Sequence, residues 1–127
     1  MSVLVDTSIW VEYFSNGNKF EKLDFFLDEN LVVTNDLILA ELIPFLKVRN
    51  QRKLINLLFR INKFEILVNW EQIIGYQYKC LKKGLNAIGI PDLIIVQNAK
   101  QNHCSIYSLD SHFNLMENIL NIKLIDR

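Results

Sequence analysis

The chain has 127 residues, half of them hydrophobic, which is enough for one domain (residues 1–127) with a core of its own. Its formal net charge is zero, so no global field draws it to nucleic acid, and any such binding must come from local patches. No stretch approaches the roughly 20 apolar residues of a membrane span, and the opening MSVLVDTSIW has neither a basic start nor an apolar run of leader length. A soluble, cytoplasmic protein is therefore expected.

Taken in order, the elements alternate. Val3 to Val5 is a short apolar run without alternation, as in a strand buried on both faces. Thr7 or Ser8 can cap a helix through Ile9, Trp10, Tyr13 and Phe14, whose aromatic stripe reads as core or dimer packing. A second helix is predicted over Phe20 to Leu27 and a second strand over Leu31 to Val33. Asn35 or Asp36, with Asp36 preferred as the cap, starts a helix towards Val48 that Pro44 can kink or break. Residues 51–62 form an amphipathic helix with Leu54, Leu57, Leu58 and Ile61 on one face, and Phe64 to Val68 is a candidate third strand. Asn69 can cap a helix from Trp70 to Lys83 that Gly84 stops, and Pro91 opens another through Lys100. Ser105 to Leu109 is a fourth strand, a short helix follows Asp110, and Ile122 to Ile125 is a final strand. Such alternation predicts an α/β domain with a mainly parallel sheet. Cys80 and Cys104 are far apart, match no metal-ligand spacing, and are expected to stay reduced.

Four carboxylates stand out against this frame. Asp6, Asp92 and Asp110 follow the short segments VLV, GIP and IYSL. Each alone reads equally well as a turn opener, a helix-dipole acid or a cap. Glu41 is the sole charge in LILAELIPFL at 37–46; a helix apolar nearly all round is expected to be buried, so Glu41 should be paired with Lys or Arg, protonated, or metal-bound. Together they matter more, because strand and helix ends on one edge of a parallel sheet meet, and like charges that meet need protons or cations between them. That combination points to a divalent metal and phosphoryl chemistry. The other ten acids fall on polar helix faces, in caps or near chain ends.

The segments VLVDTSIWVEYF, LAEL, IPDLIIVQNA and YSLDSHF together resemble the PIN-domain family, in particular the VapC-type toxins of bacterial toxin–antitoxin pairs. The resemblance spans nearly the whole chain, and D-T-S after an apolar strand is its most specific piece. It implies a three-layer α/β/α sandwich around a mainly parallel sheet and an endoribonuclease dependent on Mg2+ or Mn2+. It also implies that Asp6, Glu41, Asp92 and Asp110 are the catalytic and metal-binding quartet, that Thr7 or Ser8 is a supporting hydroxyl, and that the partners are an RNA substrate, a VapB-type antitoxin and a second copy in a homodimer.

Residues 47–63 carry Lys47, Arg49, Arg52, Lys53, Arg60 and Lys63 with no acid, and Lys79, Lys82 and Lys83 form a second cluster. These are candidate phosphate contacts, with a solvated helix face or a seat for an acidic antitoxin tail as the alternatives. His103 and His112 read as solvated or capping residues, with His112 also a candidate secondary group near the site. A haloacid-dehalogenase-type phosphatase would need an Asp where Ser8 stands, and a receiver domain would need an early acidic pair and an Asp near Val68. The remaining rival is a non-catalytic PIN-like module that binds RNA or protein without cutting.

Overall fold

Val3, Leu4 and Val5 are fully inaccessible to solvent, which requires cover on both faces of the strand they form. The computed structural model, described for residues 1–16 and 20–126, supplies that cover. Strands β1 (Val3–Val5), β2 (Val32–Asn35), β3 (Asn62–Phe64) and β4 (Ser105–Tyr107) form one sheet in the order β3-β2-β1-β4, and every pairing is parallel. The helices are α1 (Thr7–Asn16), α2 (Glu21–Asp28), α3 (Asp36–Val48), α4 (Arg52–Arg60), α5 (Trp70–Lys82), α6 (Ile90–Gln101) and α7 (Ser111–Leu120). Helix α3 packs on α1 and α4, and α5 packs on α6 and α7, giving the expected α/β/α arrangement. No helix among the described residues is long and apolar enough to cross a membrane.

Local chemistry explains most of the boundaries. The Asn69 side chain accepts a hydrogen bond from the Gln72 amide at 3.1 Å and starts α5. Gly84, at φ +83°, follows its end, where a side chain would be strained. Asp110 caps α7 by accepting from the His112 amide at 2.9 Å. Trp10 is wholly buried while Tyr13 and Phe14 are half-buried, so the stripe of α1 is a packing face. Cys80 and Cys104 are buried free thiols, and burial pushes Cys104 up to about 11.

The sequence expectations need four corrections. Helix α3 is capped by Asn35, whose side-chain oxygen accepts from the Ile38 amide at 2.9 Å; Asp36 is exposed and pairs with Lys63 at 2.9 Å. Pro44 does not break α3, which runs on to Val48. The third strand is Asn62–Phe64, not Phe64 to Val68, because an edge strand paired with β2 alone needs no apolar run. The expected final strand at 122–125 is reduced to one parallel bridge between Ile106 and Leu124.

Candidate active site

All four strands point the same way, so their carboxyl ends share one edge. From β1 the chain steps to β2 and β3 on one side, then places β4 on the other side of β1. The crevice between β1 and β4 is thus a topological switch point, the place where parallel α/β sheets leave room for a ligand. Asp6 follows β1 there. Val5 pairs with Tyr107 across the ladder, so Asp6 and Ser108 continue side by side beyond the strands.

Asp6 is only 7 % exposed and is held from two directions. Its Oδ2 accepts from Ser8 Oγ at 3.0 Å and from Ser108 Oγ at 2.8 Å, and the two hydroxyls lie 3.2 Å apart. Ser8 Oγ also accepts from the Leu109 amide, and Ser108 Oγ from the Asp110 amide, both at 2.9 Å. The hydroxyls therefore tie the Asp6 carboxylate to the loop that carries Asp110. Of the two hydroxyls considered in the sequence, Ser8 reaches Asp6, whereas Thr7 donates to Glu41 Oε1 at 3.3 Å. Ser108 was missed. Its only sequence signal is its place just past an apolar strand, two residues before an acid.

Glu41 sits one and a half turns into α3, at a solvent-open position. This corrects the expectation of burial: α3 buries Ile38, Leu39, Leu42, Ile43 and Leu46, and Ala40, Glu41 and Pro44 lie on its open side. No Lys or Arg pairs with it among the described residues; its partner is Thr7. Partial desolvation raises its carboxyl above the usual range, Asp6 adds to this, the Thr7 hydroxyl opposes it, and Asp92 adds a smaller push. Asp92 lies in the first turn of α6, whose opening residues include Pro91. Desolvation raises it too, followed by repulsion from Asp110, with His112 opposing and Asp6 contributing. Asp92 is thus the acid that feels both Asp110 and Asp6, and Glu41 feels both Asp6 and Asp92.

The imidazole of His112 joins this group. Its Nδ1 lies 3.4 Å from Asp92 Oδ2 and 3.6 Å from Asp110 Oδ1. Donor atoms of Asp92, Asp110 and His112 all fall within 4.8 Å of one another. His103, by contrast, is exposed beyond the end of α6 and takes no part. Among the described residues His112 is the only nitrogen base paired with any of the four acids. Four carboxyl groups, two of them held above the usual range, have one imidazole and no Lys or Arg beside them among the described residues, and such a set of oxygen donors fits a hard divalent cation. The six basic residues of 47–63 are exposed: Lys47 in the last turn of α3, Arg49 at its end, Arg52, Lys53 and Arg60 on α4, and Lys63 on β3; the Arg49 guanidinium lies 3.8 Å over the Phe45 ring.

Sheet order, switch point and acidic edge define a parallel α/β domain with its acids near the carboxyl ends of the strands. The chain belongs to the PIN-domain family, whose model matches residues 3–118. Two solved structures are similar along nearly its whole length. One is VapBC2 from Rickettsia felis bound to a DNA fragment from their promoter, 23% identical with a TM-score of 0.76, the match covering 98% of each chain. The other is DNA-bound VapBC from Salmonella typhimurium, 17% identical with a TM-score of 0.77, the match covering 99% of this chain and 98% of that one. At these identities the likeness is one of fold. Among curated proteins none matches.

Proposed function

We propose that the protein is a metal-dependent endoribonuclease of the VapC toxin type, acting in the cytoplasm and silenced by a VapB-type antitoxin. The observation that carries this reading is that Asp92 feels the charges of Asp110 and Asp6, and Glu41 those of Asp6 and Asp92, with no Lys or Arg pairing any of the four among the described residues. The two similar structures, both VapBC assemblies by their descriptions, support the toxin and antitoxin parts. Asp6, Glu41, Asp92 and Asp110 would hold Mg2+ or Mn2+. When bound, such an ion lowers the pKa of water and offsets charge on phosphodiester oxygens.

The residues themselves divide the work. Ser8 and Ser108 fix the Asp6 carboxylate, so little ordering remains when the charged ligands arrive. Capping fixes Asp110 in the same way. Glu41 and Asp92, both raised above ordinary carboxylates, are the two groups suited to take a proton from the attacking water. In-line attack then forms a P–O bond from that water as the P–O bond to the leaving oxygen breaks, and the leaving oxygen takes a proton from solvent while the water's proton stays on the base. Lys47, Arg49 and Arg52 would hold the RNA backbone beside the crevice. A homodimer fits the apolar stripe of α5, where Trp70, Ile74, Tyr78 and Leu81 are each more than half exposed; sedimentation equilibrium at a monomer mass would remove that part.

The test is cleavage of a labelled structured-RNA pool by antitoxin-free protein in Mg2+, Mn2+ or EDTA, beside Asp92→Asn. Metal-dependent cutting lost in the variant is expected. A folded wild-type protein that binds the pool without cutting it would instead favour the binding-module reading.

A further inference from the structure

We propose that His112 is a nitrogen ligand of the metal site, and that it tilts this site from Mg2+ towards Mn2+. The inference rests on the reading of the crevice as a metal site and extends it to a residue outside the acidic quartet.

Ligands at right angles around an octahedral ion with bonds of about 2.1 Å stand about 3 Å apart, and opposite ones about 4.2 Å. His112 Nδ1 stands 3.4 Å from Asp92 Oδ2 and 3.6 Å from Asp110 Oδ1, and the donors of all three lie within 4.8 Å. A shift of a few tenths of an ångström brings these donors to octahedral spacing. The ring is also anchored at its root, because the His112 amide donates to Asp110 Oδ1. Its Nδ1 edge faces the acids, so the atom that meets the carboxylates is the one able to offer a lone pair to an ion between them.

The chemistry gives the consequence. Mg2+ demands hard oxygen donors and sheds water reluctantly. First-row transition ions accept imidazole nitrogen more readily, and Mn2+ shares the carboxylate preference of Mg2+ while standing in that series. A set of carboxylates with one imidazole therefore suits Mn2+ better than an all-oxygen set does. Replacing His112 by Asn puts an amide oxygen near the place of Nδ1 and restores the oxygen set with little change in shape.

The experiment uses Mn2+ as its own probe. Pulsed electron paramagnetic resonance of Mn2+ bound to the wild-type protein is expected to show modulation from a directly bound nitrogen. That signal should change on 15N-histidine labelling and vanish in His112→Asn. The chain has two histidines, so the variant identifies which one is seen. Calorimetric titration should show the ratio of Mn2+ to Mg2+ affinity falling about tenfold in His112→Asn. Circular dichroism of the variant provides the fold check. Mn2+ bound without nitrogen coupling, or a wild-type signal that persists in His112→Asn, overturns the assignment and leaves the metal site of oxygens alone. Failure of the wild-type protein to bind Mn2+ or Mg2+ at all overturns the metal site itself and this assignment with it.

Discussion

Asp92 carries a penalty in the metal-free protein that a cation would convert into stabilisation. Burial and then Asp110 raise its carboxyl, against the pull of His112. Between its ordinary value and its raised one, the folded state holds more protons than the unfolded chain, so stability falls as pH rises through that window. Below about pH 4 both states are largely protonated and the penalty is absent. Asp92→Asn should therefore melt higher than wild type at pH 7 in EDTA, and the gap should close towards pH 4. Saturating metal should reverse the order, because a ligand at a hundred times its Kd adds about 2.7 kcal/mol to the state that binds it. Thermal melts with and without Mn2+ read both effects; an unchanged order would refute the metal role of Asp92. At this scale the acids were legible because charges next to apolar segments are conspicuous. Glu41 stands out in sequence as the sole charge of an apolar helix, yet it is solvent-open, and what sets it apart is the charge of Asp6 and Asp92 near it. Ser108 was invisible because a serine after a strand is ordinary until the register sets it beside Asp6.

The elements owe their positions to a few polar residues as much as to apolar periodicity. Asn35 ends β2, is wholly buried, and works in two directions. Its oxygen caps α3 at the Ile38 amide, and its amide nitrogen donates to Asn98 Oδ1 at 2.9 Å. Asn98 in turn donates to the Glu65 carbonyl at 3.0 Å. This chain ties β2, α3, α6 and the segment after β3 together. Asn35→Ala loses a cap worth about 1 kcal/mol and orphans a buried amide oxygen at about 1–3 kcal/mol. A total near 2–4 kcal/mol in urea unfolding is expected, while Asp36→Ala should cost at most about 1 kcal/mol, since its ion pair is exposed. Equal losses would mean that the cap is misassigned. The core helices and β1 were readable because burial leaves a periodic signature. Edge pieces were not: β3 has two exposed residues of three, and residues 122–125 contribute a single bridge, so neither had to be apolar in a strand pattern.

A net charge of zero conceals a division of charge over the whole molecule. Four acids gather at the carboxyl edge of the sheet, while the open side of α3 leads from Glu41 to Lys47 and on to Arg49 and Arg52. Glu41 and Lys47 are six residues apart on one helix, about 9 Å of rise, which is the span of one or two nucleotides of extended backbone. Repulsion by the acids would drive a phosphate chain away from the crevice unless a cation in the crevice and a basic rim beside it both act. The rim is accessible, since Lys47, Arg49 and Arg52 are exposed, and Arg49 is steadied over Phe45 rather than paired with an acid. Reversing Arg49 and Arg52 to Glu, in the Asp92→Asn background proposed to lack cleavage, should weaken RNA binding by tenfold or more at low salt. It should also lower the slope of log K against log salt by about 1.5, the loss of two phosphate contacts on a single strand. Melting temperature should hardly move, because both side chains lie on the surface. A binding curve and salt slope equal to those of the parent would place the RNA elsewhere, with Lys79, Lys82 and Lys83 as the next surface to reverse.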